Sequence, residues 1–151
     1  MTSYADPVPM RRAAPSVLFV LLALAGCAPT IAPFSERAYE QAVELKVEAL
    51  AVMGAATEPF EPHRDAVEAL RLDLDKAYEF ARGRPDNELS ARQWAILRDP
   101  DRNLLGGFLA RWEAEGALSP FFVTEAQALV ADAFDTVIGL ESGKVRPDAV
   151  D

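Results

Sequence analysis

The chain has 151 residues, a formal net charge of −9 and a single cysteine, Cys27. That length allows one domain with a real core, and an acidic balance excludes sequence-independent binding to nucleic acid, which needs a basic surface. One cysteine excludes an intrachain disulfide, so the domain must be stable by packing alone.

The chain opens on a targeting pattern. Arg11 and Arg12 form a positive flank, and Val17 to Ala25 is an apolar run of nine residues. The small residues Ala25 and Gly26 precede the expected cleavage point. Nine residues reach only about 14 Å as a helix, against roughly 30 Å for a bilayer core. Residues 1–26 therefore read as a removable signal, with Met10 an alternative start.

Leu24, Ala25, Gly26 and Cys27 together resemble the lipobox of bacterial lipoprotein precursors: apolar, small, Gly or Ala, then Cys. The resemblance covers residues 10–28 and says nothing of the rest of the chain. It implies diacylglyceryl transfer to the Cys27 thiol, cleavage before Cys27 and acylation of the new amino terminus. In that family an Asp after the cysteine often signals inner-membrane retention. Ala28 stands there, which tilts the expectation to the outer membrane, facing the periplasm. Two or more acyl chains hold a protein firmly where one does not. Without residues 1–26 the chain loses Arg11, Arg12 and Asp6 and carries a net charge of −10. The lipid, not charge, is then the anchor.

Residues 27–34 form a short, Pro-bearing linker that keeps the domain close to the bilayer. A first helix is expected from a Ser35 cap to about Met53, with Gly54 as its stop. Its apolar side is Tyr39, Ala42, Val43, Val47, Leu50 and Met53; Glu36, Glu40, Glu44 and Glu48 mark another face. A second helix is expected over 62–82, with a seam of His63, Val67, Leu70, Leu74, Ala77 and Ala81. Its 4-3-4-3-4 spacing suits antiparallel packing. Ser90 and Gln93 read as a capping box for a short third helix carrying Trp94 and Leu97. A fourth spans about 102–115, with Leu104, Leu105, Phe108, Leu109 and Trp112 as its stripe and Gly116 as its end. Ser119-Pro120 starts the last helix, which runs to about Leu140 and is lined by Phe122, Ala126, Leu129, Val130, Phe134 and Val137. The tail, 143–151, is polar. The fold class is all-α: an up-and-down bundle over 35–142, of four main helices and one short one.

Charge alternates along the chain. Residues 35–80 and 112–142 are acidic, and the stretch between carries Arg82, Arg84, Arg92, Arg98, Arg102 and Arg111. The ordinary explanation is pairing with neighbouring acidic helices, each exposed pair contributing about 0–1 kcal/mol. The sharper one is a docking face.

Candidate chemistry is thin. Asp99-x-Asp101-x-Asn103 opens like a calcium loop, but the sixth position is Leu104, not Gly, and the twelfth is Ala110, not Glu; Asp99-Pro100-Asp101 reads better as a turn and a cap. Gly139 to Lys144 has the flavour of a phosphate loop but the wrong register, and it follows a helix rather than a strand. His63 is the sole histidine and sets up no metal-ligand spacing. Asp73 and Asp75 point to different sides of their helix. No metal, cofactor or enzymatic activity is expected.

Two features stay open. Gly106-Gly107 interrupts helical sequence at roughly 1 kcal/mol per glycine relative to alanine, for which close helix–helix approach is the commoner reason and a kink beside a ligand groove the rarer one. Trp94, Phe108, Trp112, Phe121 and Phe122 crowd one third of the chain. The first expectation is a non-enzymatic, lipid-anchored module that binds another envelope protein through Arg98, Arg102, Gly106, Gly107 and Phe108. The second is a carrier of a small apolar or lipid ligand held between helices near Trp94 and Trp112.

Overall fold

A computed structural model of the chain describes residues 32–145. These are all-helical, with five α-helices and no strand among them: α1 (Glu36–Gly54), α2 (Arg64–Gly83), α3 (Glu88–Arg98), α4 (Leu105–Glu115) and α5 (Pro120–Glu141). The expected signal segment, Cys27 and most of the expected linker and tail lie outside the described residues. No described helix is long and apolar enough to cross a membrane.

The helix starts follow local chemistry. Ser35 Oγ accepts from the Ala38 amide at 3.3 Å, and Ser119 Oγ accepts from the Phe122 amide at 3.3 Å with Pro120 behind it. Each cap satisfies an amide that the first helical turn leaves without a partner. Gly116 ends α4 at φ +81, a conformation that suits glycine.

As expected, α1 ends at Gly54, though that glycine is not a left-handed cap. It keeps a right-handed backbone (φ −61), and the chain runs on through a short 3-10 turn, Ala55–Thr57. A second such turn, Glu61–His63, leads into α2. Ser90 is no cap either. The helix starts two residues before it, at Glu88 after Asn87, and Ser90 is buried inside it. The fourth helix begins later than its sequence pattern, at Leu105, because Asp99 to Leu104 is taken up by a turn.

Packing joins α1 to α2 and α5, and α3 to the same two helices, closing a ring of four. These contacts support the bundle arrangement in part. In length α4 equals α3, and it closes one end of the ring. Trp112 Nε1 donates to the Glu58 carbonyl at 3.0 Å, and the Phe60 ring meets the Trp112 indole edge-on at 5.4 Å. The Phe60 and Leu118 amides donate to the Gly116 and Ala56 carbonyls at 2.7 and 2.8 Å, stitching the α1–α2 turn to the end of α4.

The core runs through all five helices. The α2 seam is buried as its spacing predicts, from Val67 to Ala81, with His63 left at its edge. On α1 the buried stripe is Ala38, Ala42, Leu45, Ala49 and Met53; it shares Ala42 and Met53 with the expected side, of which Tyr39, Val43 and Leu50 are half-buried and Val47 faces solvent. The alanines let α1 approach its two neighbours closely, which a stripe of larger residues would prevent. At the end of α5 the chain turns back through Gly143 (φ +70), and the Val145 amide donates to the Gly139 carbonyl at 2.9 Å.

Candidate docking face around the α3–α4 turn

The turn between α3 and α4 is built by its own side chains. Asp99 Oδ1 accepts from the Asp101 amide at 2.9 Å, and the Asp99 carbonyl accepts from the Arg102 amide at 3.2 Å. This is the turn expected of Asp99-Pro100-Asp101, but it caps no helix; α4 begins after Leu104, without a side-chain cap. The two glycines explain how the turn fits. A Cβ on Gly106 would lie 2.3 Å from the Arg98 carbonyl oxygen, and one on Gly107 would lie 1.8 Å from that of Arg102. Both contacts are with backbone, which cannot swing aside. The glycines therefore sit in the first turn of α4, where the preceding chain crosses directly over them. Close approach, not a kink, is their reason.

Cavities open on both sides of this turn, and Pro100 lines both. One, of about 560 Å³, lies between α2, α3 and the turn and is lined by Arg71, Asp75, Arg98, Asp99 and Gly106 among others. The other, of about 350 Å³, lies between the turn, α4 and α5; Arg102, Gly107, Phe108, Arg111, Phe122 and Leu129 are among its walls. All five residues singled out for a partner face thus line one or other of these two hollows.

Their availability differs. Arg98 is engaged within the molecule: it donates to Asp75, and its guanidinium stands 4.3 Å from the Tyr78 ring centroid. Arg71 and Arg64 both donate to Glu113, at 3.0 and 3.1 Å. Those hydrogen bonds, Arg71 first, hold the Glu113 carboxyl below its usual range, while partial burial opposes them. Both arginines on the wall of the larger hollow, Arg71 and Arg98, are thus engaged in internal ion pairs, and for Arg98 the partner is on a neighbouring acidic helix, as the ordinary account of the arginine strip expects. Arg102 is freer; its nearest carboxylate, Asp99, is 3.7 Å away.

The smaller hollow is the more apolar surface. Phe108 and Phe122 stack there, 5.9 Å apart and 5° from parallel, and Arg111 covers the Phe122 ring at 4.3 Å while donating to Glu115. Leu129 on its wall is 57% exposed, and Phe121, one residue before the stacked ring, is 78% exposed. Phe122, Ala126 and Leu129 were expected in the core. They share a face with buried Val130, but α4 is too short to cover the whole of it, and the stripe becomes a groove wall. Periodicity finds such a stripe and cannot say what lies over it.

The crowded aromatics divide by role. Trp94 packs edge-on against Phe134 at 5.8 Å, and Trp112 is fully buried against Phe60. Neither tryptophan lines the two hollows. His63 bonds Glu58 at 2.8 Å and lies 5.3 Å from the Trp112 indole, an edge residue of the bundle. Among the described residues no group of three or more His, Cys, Asp or Glu could hold a metal ion.

One polar cluster had no recognised signal in the sequence. Glu141, 2% exposed at the end of α5, accepts from Arg84, from Ser90 Oγ and from Asn87 Nδ2. Asn87 Nδ2 also donates to the Ala81 carbonyl at 3.1 Å, and its Oδ1 accepts from the Ala32 amide at 3.3 Å. Arg84 reaches the Pro33 carbonyl at 2.5 Å. Three helix ends and the linker meet at this point. Spacing could not find it, because its members lie on separate elements.

No protein-family model, no curated protein and no solved structure matches the chain.

Proposed function

We propose that the protein is a non-enzymatic lipoprotein of the cell envelope, held by lipid on Cys27 with its helical domain in the periplasm, and that it binds another envelope protein through the groove beside the α3–α4 turn. One observation carries this reading. Arg102, Gly107 and Phe108, picked out by their chemistry in the sequence, converge with Phe122 and Leu129 on one open groove. The groove has the composition of a contact centre: stacked aromatics and an aliphatic wall, edged by arginines. Anchoring adds to it, because a tether turns association with a neighbour at the same membrane into a nearly intramolecular event.

The test uses the intact protein from its native host. The membrane-extracted chain should begin at Cys27 and carry the mass of its acyl groups, and Cys27→Ser should leave the membrane fraction. Crosslinking should recover one partner in near-equal amount. Leu129→Glu, at an exposed position, should lose that partner while leaving the melting temperature nearly unchanged. A partner retained by Leu129→Glu and by Arg102→Glu alike would overturn the groove as the contact face.

A second reading rests on the size of the same groove. About 350 Å³ is within the range of small-ligand sites. An apolar or lipid ligand that co-purifies and is lost on Phe122→Ala would favour a carrier over an adaptor.

A further inference from the structure

The groove and the linker attachment lie at opposite ends of the same helices. Groove residues Phe122 to Val130 stand 19 to 11 positions before Glu141 on α5. At 1.5 Å per residue the groove is about 16–28 Å from the Glu141 cluster along the helix axis. The path along α3, from Asn87 at its start to Arg98 at its end, gives the same separation of about 16 Å.

We propose that Arg84, Asn87, Ser90 and Glu141 form a clamp that fastens the lipid-bearing linker to one end of the bundle and turns the groove away from the anchoring bilayer. The proposal rests on the lipidation of Cys27 put forward above. A buried carboxylate is expensive unless its lone pairs are met, and this one accepts from a guanidinium, a hydroxyl and an amide. Two of those donors do a second job. Asn87 accepts from the amide of Ala32, and Arg84 donates to the carbonyl of Pro33. The linker backbone is thus joined to the ends of α2, α3 and α5 before α1 begins.

The consequence is a short leash. Without the clamp the first fixed point is the start of α1 at Ser35, eight residues after Cys27, a reach of at most about 29 Å; with it the fixed point is Ala32, five residues after Cys27, a reach of at most about 18 Å. The clamp end then stays near the bilayer and the groove end stands off it. Charge opposes the alternative of lying flat. Glu36, Glu40, Glu44 and Glu48 run along α1, exposed and without a partner among the described residues, and an anionic bilayer repels that side. The groove accordingly serves a partner that stands off the anchoring bilayer, not a lipid within it.

The experiment places the lipidated protein in phosphatidylcholine vesicles containing phosphatidylglycerol and a headgroup-attached quencher. With the Cys27 thiol acylated, one introduced cysteine carries the fluorophore: Lys144→Cys near the clamp or Phe121→Cys at the far end. The clamp-end label should be quenched at least twofold more than the far-end label. A six-residue Gly-Ser insertion between Ile31 and Ala32, outside the clamp, should bring that ratio towards one. The same insertion between Phe34 and Ser35, inside it, should leave the ratio unchanged. Equal quenching of the two labels, or equal effects of the two insertions, would overturn the clamp with the Cys27 lipid intact. No quenching at either label, with the lipid missing from the protein's mass, would overturn the anchor and the clamp together.

Discussion

Glycine has opposite meanings at three positions. At Gly106 and Gly107 an added methyl meets backbone closer than any carbon can stand, so Gly107→Ala should destabilise by about 1–3 kcal/mol through overpacking. At Gly83, the last residue of α2, nothing lies within 4 Å, and Gly83→Ala should stabilise by about 0.4–1 kcal/mol by restricting the unfolded chain. Thermal melts of the two variants give shifts of opposite sign if the close crossing over α4 is real. The buried cluster at Glu141 gives a second contrast. Arg84→Met leaves a carboxylate without its cation and should cost about 3–5 kcal/mol, whereas adding Glu141→Leu should recover most of that loss. Chemical denaturation of the single and double variants measures the recovery. The glycine pair could be read as a close approach from sequence, since few other reasons place two glycines in helical sequence. Ser90 could not. Its spacing to Gln93 matches a capping box, and only the buried carboxylate of Glu141, 51 residues away, shows why a hydroxyl is there.

At the level of elements, α4 is held to α2 by Arg64 and Arg71 on Glu113. The Glu113 carboxyl titrates below its usual 4.5, so the folded state releases this proton more readily than the unfolded chain. That contribution is complete above pH 4.5 and is lost as pH falls through the lowered value. The side chain is over a third exposed, so solvent screening limits the effect to about 1 kcal/mol or less. Melting temperature against pH should show a shallower acid limb in Glu113→Gln than in the parent. Helix number and most boundaries were legible because caps, prolines and the α2 seam each point to one structure. On α1 the apolar pattern places Ala42 and Met53 in the core but misses that Ala38, Leu45 and Ala49 face the ring while Val47 does not. The start of α4 was misjudged because Asp99 to Leu104 spends its hydrogen bonds on a turn. Sequence also gave Leu129 to the core; the shortness of α4 leaves it on a groove wall.

For the whole molecule, the decisive features sit at two ends. One end receives the linker at a buried polar cluster, and the other carries an apolar groove beside a turn packed tightly on glycines. The candidate face was legible as residue chemistry, since Arg102, Gly107 and Phe108 reach one groove. On its other wall, from α5, Phe122 belongs to the same aromatic crowding as Phe108, whereas Leu129 carries no such signal in the sequence. The most direct test of the account is photocrosslinking in the native host, with a photoreactive residue placed at Leu129 in the groove and, as a control, at Leu72, an exposed apolar position on α2. The account predicts one discrete adduct from Leu129, dependent on Cys27, and none from Leu72. The same adducts from both positions, or an adduct at Leu129 that survives Cys27→Ser undiminished, would contradict it.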